Sequence, residues 1–186
     1  MKIVLGISGA SGAILGVRLL QALQEFPVVE THVVISALGA QTLAYETGLT
    51  AAEVREMAQQ SYEADDLFAP IASGSFASAG MIVCPCSMKT VAAICQGLSD
   101  SLLLRAADVC LKENRRLVLV PREMPLSRVH LRNLSAAAEL GCTIIPPLLT
   151  FYNQPRTVED HIDHIVGKVL AQFGLRYSRF QPWEGK

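Results

Sequence analysis

Residues 2–16 read KIVLGISGASGAILG. Lys2 to Ile7 is a short apolar run, and Gly6-Ile7-Ser8-Gly9-Ala10-Ser11-Gly12-Ala13 then carries it into a segment with helical periodicity. A strand that passes through a glycine and serine turn directly into a helix opens a βαβ unit. Thr31 to Ile35, Met81 to Cys84, Leu117 to Val120 and Thr143 to Ile145 also read as strands, with longer helical stretches between them. Each is close to uniformly apolar, so each is buried on both faces. That pattern belongs to a parallel sheet covered by helices on either side. The sequence therefore predicts an α/β fold: a three-layer, doubly wound, Rossmann-like or flavodoxin-like sheet, mainly parallel. A single domain is expected over residues 1–186, with residues 174–186 as a C-terminal tail.

Local signals punctuate this plan. Thr50-Ala51-Ala52-Glu53 and Thr157-Val158-Glu159-Asp160 have the form of capping boxes, and Ser99 and Ser127 stand where two intervening helices would start. Gly97, Gly141 and Gly174 mark ends. From Ser61 to Ser78 the periodicity is lost and Asp65, Asp66, Pro70, Gly74 and several serines accumulate, which predicts a long excursion on the carboxyl edge of the sheet. The tail after Phe173 is either an arm that docks on a neighbour or a loose end.

Composition limits the partners. Of 186 residues, 51% are hydrophobic and only 18% charged, a charge content poor for a solitary soluble monomer and consistent with subunit contacts. Sixteen basic and seventeen acidic residues leave a formal charge of −1, so nothing draws the chain toward nucleic acid or anionic lipid. Any bound anion must be held by a local pocket. The five cysteines, Cys84, Cys86, Cys95, Cys110 and Cys142, are odd in number and lie mostly in apolar runs, as reduced thiols of a cytoplasmic protein do. Cys84-Pro85-Cys86 has neither the spacer nor a nearby histidine of a metal site, so no metal is expected. No apolar run spans a bilayer, and neither signal peptide nor membrane anchor is expected.

In a doubly wound sheet, ligands bind beyond the carboxyl ends of the strands. After the first strand, the Gly9-Ala10-Ser11 turn suits a phosphate at a helix start, though a tight turn also needs glycine for geometry alone. The second strand ends in Ser36, where a nicotinamide site would require an acid, so that class is disfavoured. The third runs into Cys86-Ser87-Met88-Lys89-Thr90, a second anion-friendly helix start, or simply a capped helix with a solvated lysine. Two such starts on adjacent strands suggest one shared ligand with a phosphate tail, such as FMN. After the fourth strand, Pro121-Arg122-Glu123-Met124-Pro125 holds an Arg-Glu pair between prolines; after the fifth, Phe151-Tyr152-Asn153-Gln154-Pro155 could cover a planar ligand or belong to the core. Spacing alone does not single out Glu46, Lys112 or Lys168.

GASGA at 9–13, SGS at 73–75, CPCS at 84–87, RAADVCLKE at 105–113, LVLVPREMP at 117–125 and FYNQP at 151–155 together resemble the flavin prenyltransferase (UbiX/Pad-type) family, in order and through nearly the whole chain. The resemblance implies a flavoprotein fold and an FMN prenyltransferase. Its reaction joins a dimethylallyl group from dimethylallyl phosphate to N5 and C6 of reduced FMN without a metal. The prenylated FMN then passes to a UbiD-type decarboxylase, and the enzyme is a dodecamer with sites between subunits. It implies FMN on Gly9, Ala10, Ser11, Ser36, Ser87, Met88, Lys89, Thr90 and Arg122. The prenyl phosphate falls on Lys112, Tyr152 and Lys168, with Arg105 nearby. Glu123 is implied near the phosphate, and Glu46 as the group that takes the flavin proton.

On that assignment, fixed cations and a tyrosine hydroxyl stabilise the leaving oxygens as the allylic C–O bond breaks. Some relatives carry arginine where this chain has Lys168, which keeps the charge but loses the bidentate fork. Leu67 and Phe68 stand where some relatives carry tryptophan. A flavin-dependent cysteine decarboxylase, the nearest rival, needs a histidine at the crevice. His32, His130, His161 and His164 are expected away from it. A non-catalytic FMN carrier would have no use for Lys112, Glu123, Tyr152 and Lys168 together.

Overall fold

The computed structural model describes residues 1–185. Its strands are β1 (Lys2–Ile7), β2 (Glu30–Ile35), β3 (Gln60–Tyr62), β4 (Gly80–Cys86), β5 (Arg116–Pro121) and β6 (Thr143–Ile144). They form one sheet in the order β3-β2-β1-β4-β5-β6, every pairing parallel. The helices are α1 (Ala13–Gln24), α2 (Ala37–Thr47), α3 (Ala51–Glu56), α4 (Met88–Cys95), α5 (Leu102–Lys112), α6 (Arg128–Glu139) and α7 (Val158–Ala171).

Strand alternation divides the core in two. Ile3, Leu5 and Ile7 of β1 face α1 and α7, while Val4 shares the opposite face with Met81, Val83 and the buried sides of α4 and α5. Burying both faces of every central strand requires the uniform apolar runs seen in the sequence, and the predicted three-layer fold is the one found. All five cysteines are free and four are buried; burial alone pushes the Cys84 thiol far above its ordinary range, so it packs rather than reacts.

Three details differ from the sequence reading. The first is β3, an edge strand of exposed or half-buried Gln60, Ser61 and Tyr62. Pairing with β2 through His32 and Val34 creates it, and its own residues carry no apolar signal. The second is the excursion that follows. It leaves the carboxyl edge but ends at the amino edge, where the Ala79 N–H donates to the Lys2 carbonyl 2.8 Å away. Arg105 and Arg115 hold its course by donating to the carbonyls of Ala72 (3.0 Å) and Gly74 (2.6 Å). The third is the cap of α5, which is Ser101 and not Ser99: the Ser101 hydroxyl accepts from the Leu104 N–H. Thr50, Ser127 and Thr157 cap as expected. No described helix is long and apolar enough to cross a membrane.

The tail folds back along the chain. Tyr177 donates its hydroxyl to Asp163 at 3.0 Å, Arg18 of α1 donates to the same carboxylate oxygen at 3.0 Å, and Phe180 packs beside His164 of α7.

Candidate active site at the carboxyl edge of the sheet

The chain steps outward from β1 to β2 in one direction and from β4 to β5 in the other. The switch-point crevice therefore opens at the carboxyl ends of β1 and β4. Of the helices that begin along this edge, α1 after β1, α2 after β2 and α4 after β4 start beside the crevice. Ser36 caps α2 by accepting from the Gly39 N–H (3.0 Å), and Ser87 caps α4 by accepting from the Thr90 N–H (3.2 Å) while lying 2.9 Å from the Thr90 hydroxyl. These caps serve the third helical donor and leave the N–H groups of Ala37, Leu38, Met88 and Lys89 with no intrahelical partner. The positive ends of α2 and α4 thus flank the end of β1 with spare donors.

Ser8 braces the crevice and was not singled out from sequence. Its buried hydroxyl donates to the Pro85 carbonyl (2.9 Å) and accepts the Ser87 N–H (2.8 Å), tying the end of β1 to the start of α4. The only local hint is that a serine ending a buried strand must find partners.

The third helix start is used differently from the reading above. Gly12, at φ 98°, precedes α1 and offers no side-chain cap. The Glu46 carboxylate of α2 fills that role, accepting from the Gly12 N–H (2.8 Å) and the Ala13 N–H (2.9 Å). Those two donors are thereby closed to a phosphate, while the N–H groups of Gly9, Ala10 and Ser11 make no bond among the described residues. Partial burial pushes the Glu46 carboxyl upward, but the Ser11 hydroxyl, the Ala13 and Gly12 N–H groups and the Arg122 charge outweigh it and hold it below the usual carboxylate range. Glu46 is therefore a carboxylate, able to accept a proton.

β5 brings the second half. Its last residue, Pro121, pairs with Cys86, and the Arg122 N–H donates to the Cys86 carbonyl at 3.1 Å. The side chains of Arg122 and Lys89 are exposed and make no hydrogen bond or ion pair among the described residues, so both cations are available. Among the described residues, the exposed Glu123 carboxylate accepts only the Met124 N–H, at 3.1 Å. Arg122, Glu123, Met88, Pro146, Pro147 and Leu149 share a largely apolar cavity of about 390 Å³.

The remaining predicted residues lie elsewhere in the single chain. Lys112 ends α5 at the amino edge, 2.6 Å from Glu113, and with Arg105 it lines an open hollow beside Ser73–Ser75. Arg105 itself bonds Asp108 at 2.6 Å. Tyr152 and Lys168 form a third group near α7, where the Tyr152 ring meets Trp183 edge-on at 5.6 Å and its hydroxyl lies 3.3 Å from His164 Nε2. His164 is thus in contact with a predicted site residue, though not with the carboxyl-edge crevice. One chain brings together Ser11, Glu46 and Arg122, but it does not bring Lys112, Tyr152 or Lys168 to them.

Residues 1–173 match the Flavoprotein family. A probable UbiX-like flavin prenyltransferase of Sedimentibacter hydroxybenzoicus is 55% identical over 185 residues, covering 100% of this chain and 98% of that one. The chain belongs to the UbiX-like flavin prenyltransferases. Among solved structures, the dodecameric FMN-dependent UbiX-like decarboxylase of Escherichia coli O157:H7 superposes with TM-score 0.97 at 52% identity over 100% of both chains. AnUbiX (PadA1), solved in complex with FMN and dimethylallyl pyrophosphate, does so with TM-score 0.96 at 47% identity, over 100% of this chain and 98% of that one. A flavin prenyltransferase makes prenylated FMN, and the donors on this edge fit FMN: free helix N–H groups, serine hydroxyls and Arg122 suit its phosphate, and the adjoining apolar cavity suits its ring system.

Proposed function

We propose that this protein transfers the dimethylallyl group of dimethylallyl phosphate to N5 and C6 of reduced FMN, in a cleft completed by neighbouring copies of the chain. The product would serve a UbiD-type decarboxylase. The observation that carries this reading is the set of free N–H groups at the starts of α2 and α4, with exposed Arg122 on the wall of an apolar cavity. Gly9, Ala10 and Ser11, the starts of α2 and α4 with Ser36 and Ser87 to Thr90, and Arg122 hold the flavin.

Hydrogen counting sets the work of the side chains. The allylic C–O bond breaks with its electron pair going to phosphate, bonds form at N5 and C6, and each of those atoms gives up a proton. One proton ends on the phosphate and one on the central carbon of the allyl unit. Glu46, held as a carboxylate, takes the C6 proton. Glu123, on the cavity wall, relays a proton on the phosphate side. Lys112, Lys168 and Tyr152 face the leaving oxygens, supplying the charge that a divalent ion would otherwise provide. Lys112 cannot reach Glu46 within one chain, which requires an assembly. Exposed Tyr45, Met124, Leu148 and Phe151 are apolar surface that such an assembly would cover.

The test is anaerobic incubation with reduced FMN and dimethylallyl phosphate, with and without a chelator. A single prenyl mass on the flavin, with its C6 proton gone, is the expected product in both. Unchanged flavin would leave an FMN carrier, and a strict need for magnesium would overturn the role given to the cations.

A further inference from the structure

His164 is the histidine with contacts in the proposed prenyl-phosphate group. Helix α7 sets it one turn before Lys168 on the same face. Its ring is 4% exposed, clasped between Tyr152, edge-on at 5.5 Å, and Phe180 at 5.1 Å. Nε2 lies 3.3 Å from the Tyr152 hydroxyl, and Nδ1 is buried with no partner among the described residues.

These facts choose the tautomer. A neutral ring carries one proton, and a buried N–H without an acceptor is rarer than a buried lone pair without a donor. The proton therefore belongs on Nε2. Burial first, then the charges of Lys168 and His161, push the ring below its ordinary value, so a second proton on the orphaned Nδ1 is disfavoured. With Nε2–H as donor, Tyr152 Oη is the acceptor, and the tyrosine's own proton must point elsewhere.

We infer that His164 is a positioning residue whose Nε2–H donates to Tyr152 Oη, committing the tyrosine's proton to an oxygen of the departing phosphate. The chain imidazole N–H to phenol O–H to phosphate strengthens as charge grows on the leaving group, because each bond polarises the next. This inference rests on the reading of Tyr152 as a phosphate ligand.

The test is a double-mutant cycle on the assembled enzyme, reading kcat and KM for dimethylallyl phosphate and, separately, FMN affinity. His164→Leu should lower kcat/KM about tenfold, the size of one catalytic hydrogen bond, and should add less than about twofold in a Tyr152→Phe background. His164→Gln, which can place an amide N–H near the old Nε2, should stay within about threefold of wild type, while His164→Asn, one methylene shorter, should fall to the leucine level. FMN affinity should not move in any of them. Equal losses from His164→Leu in both backgrounds, or glutamine no better than asparagine, would overturn the positioning role. If the leucine variant does not fold, the glutamine and asparagine pair decides. Wild-type turnover in Tyr152→Phe alone would instead sink the reading of Tyr152 beneath it.

Discussion

Glu46 is given two tasks, capping α1 and accepting a proton, and Glu46→Gln separates them by size. Glutamine retains a carbonyl oxygen for the Gly12 and Ala13 N–H groups, now 2.8 and 2.9 Å from the carboxylate. It loses the negative charge at a helix N-terminus, worth about 0.3–1 kcal/mol at an exposed position, and the charge assistance of those bonds, about another 1 kcal/mol at most. The cap should therefore cost at most about 2 kcal/mol, with a fall in Tm of about 2–4 °C for each kcal/mol in a chain of this size. A missing general base costs about 10²–10⁴ in the step that uses it. The assay is an anaerobic single turnover quenched for mass spectrometry and proton NMR, beside a thermal melt. In Glu46→Gln the flavin should gain the prenyl mass while its C6 proton persists, with loss of that proton slowed at least about a hundredfold. A C6 proton lost at the wild-type rate, with only the melt displaced, would show that Glu46 is a cap and nothing more.

Mixing should reveal a shared site: Lys112→Met and Glu46→Gln, each deficient alone in forming the product that has lost the C6 proton, should recover up to about a quarter of the wild-type rate of that product when co-assembled, as random pairing across a heterologous interface requires. No recovery would place both residues in one chain's site. Arg122→Ala should weaken FMN binding about 10- to 100-fold by flavin fluorescence titration, since it removes a charge-assisted contact to phosphate; unchanged affinity would remove Arg122 from the site. Burial, with hydrogen bonding and charge from Asp163, raises Tyr177 from 10.0 to about 12. Between those values the unfolded chain has lost a proton that the folded chain keeps, so stability should fall as pH rises from about 10 toward 12, a slope that Tyr177→Phe should lack in denaturant titrations. Gly39→Ala should lower Tm, because a Cβ there would lie 2.5 Å from the Ile7 carbonyl oxygen, a backbone atom at about 1–3 kcal/mol of overpacking. An unchanged melt would mean that α2 moves away freely from the end of β1.

How far the site was legible varies residue by residue. Ser36, Ser87 and Arg122 follow directly from where apolar runs stop, because a parallel strand must end at the ligand-binding edge. Lys112, Lys168 and Glu46 carry no periodic or spacing signal and are named only through the family resemblance. His164 reads as a helical residue remote from the crevice, since no local rule tells that a loop tyrosine twelve positions earlier returns to its ring. β3 escaped notice for a similar reason: its three residues become a strand only by pairing with β2.

The amino-acid sequence by itself determined the layered parallel architecture and the edge on which ligands gather. Burial on both faces writes itself into local composition, and helix starts are written in their serines and threonines. Only the tertiary structure decided that a carboxylate from 34 residues away plugs the start of α1, while the first N–H groups of α2 and α4 are left without an intrahelical partner. It also decided that Lys112 ends α5 at the amino edge, away from Ser36, Ser87 and Arg122 at the carboxyl edge. Helix dipoles and caps are local, whereas the partner that neutralises a helix end is chosen by how α2 folds across α1. That choice is made by packing, which no short stretch of residues encodes.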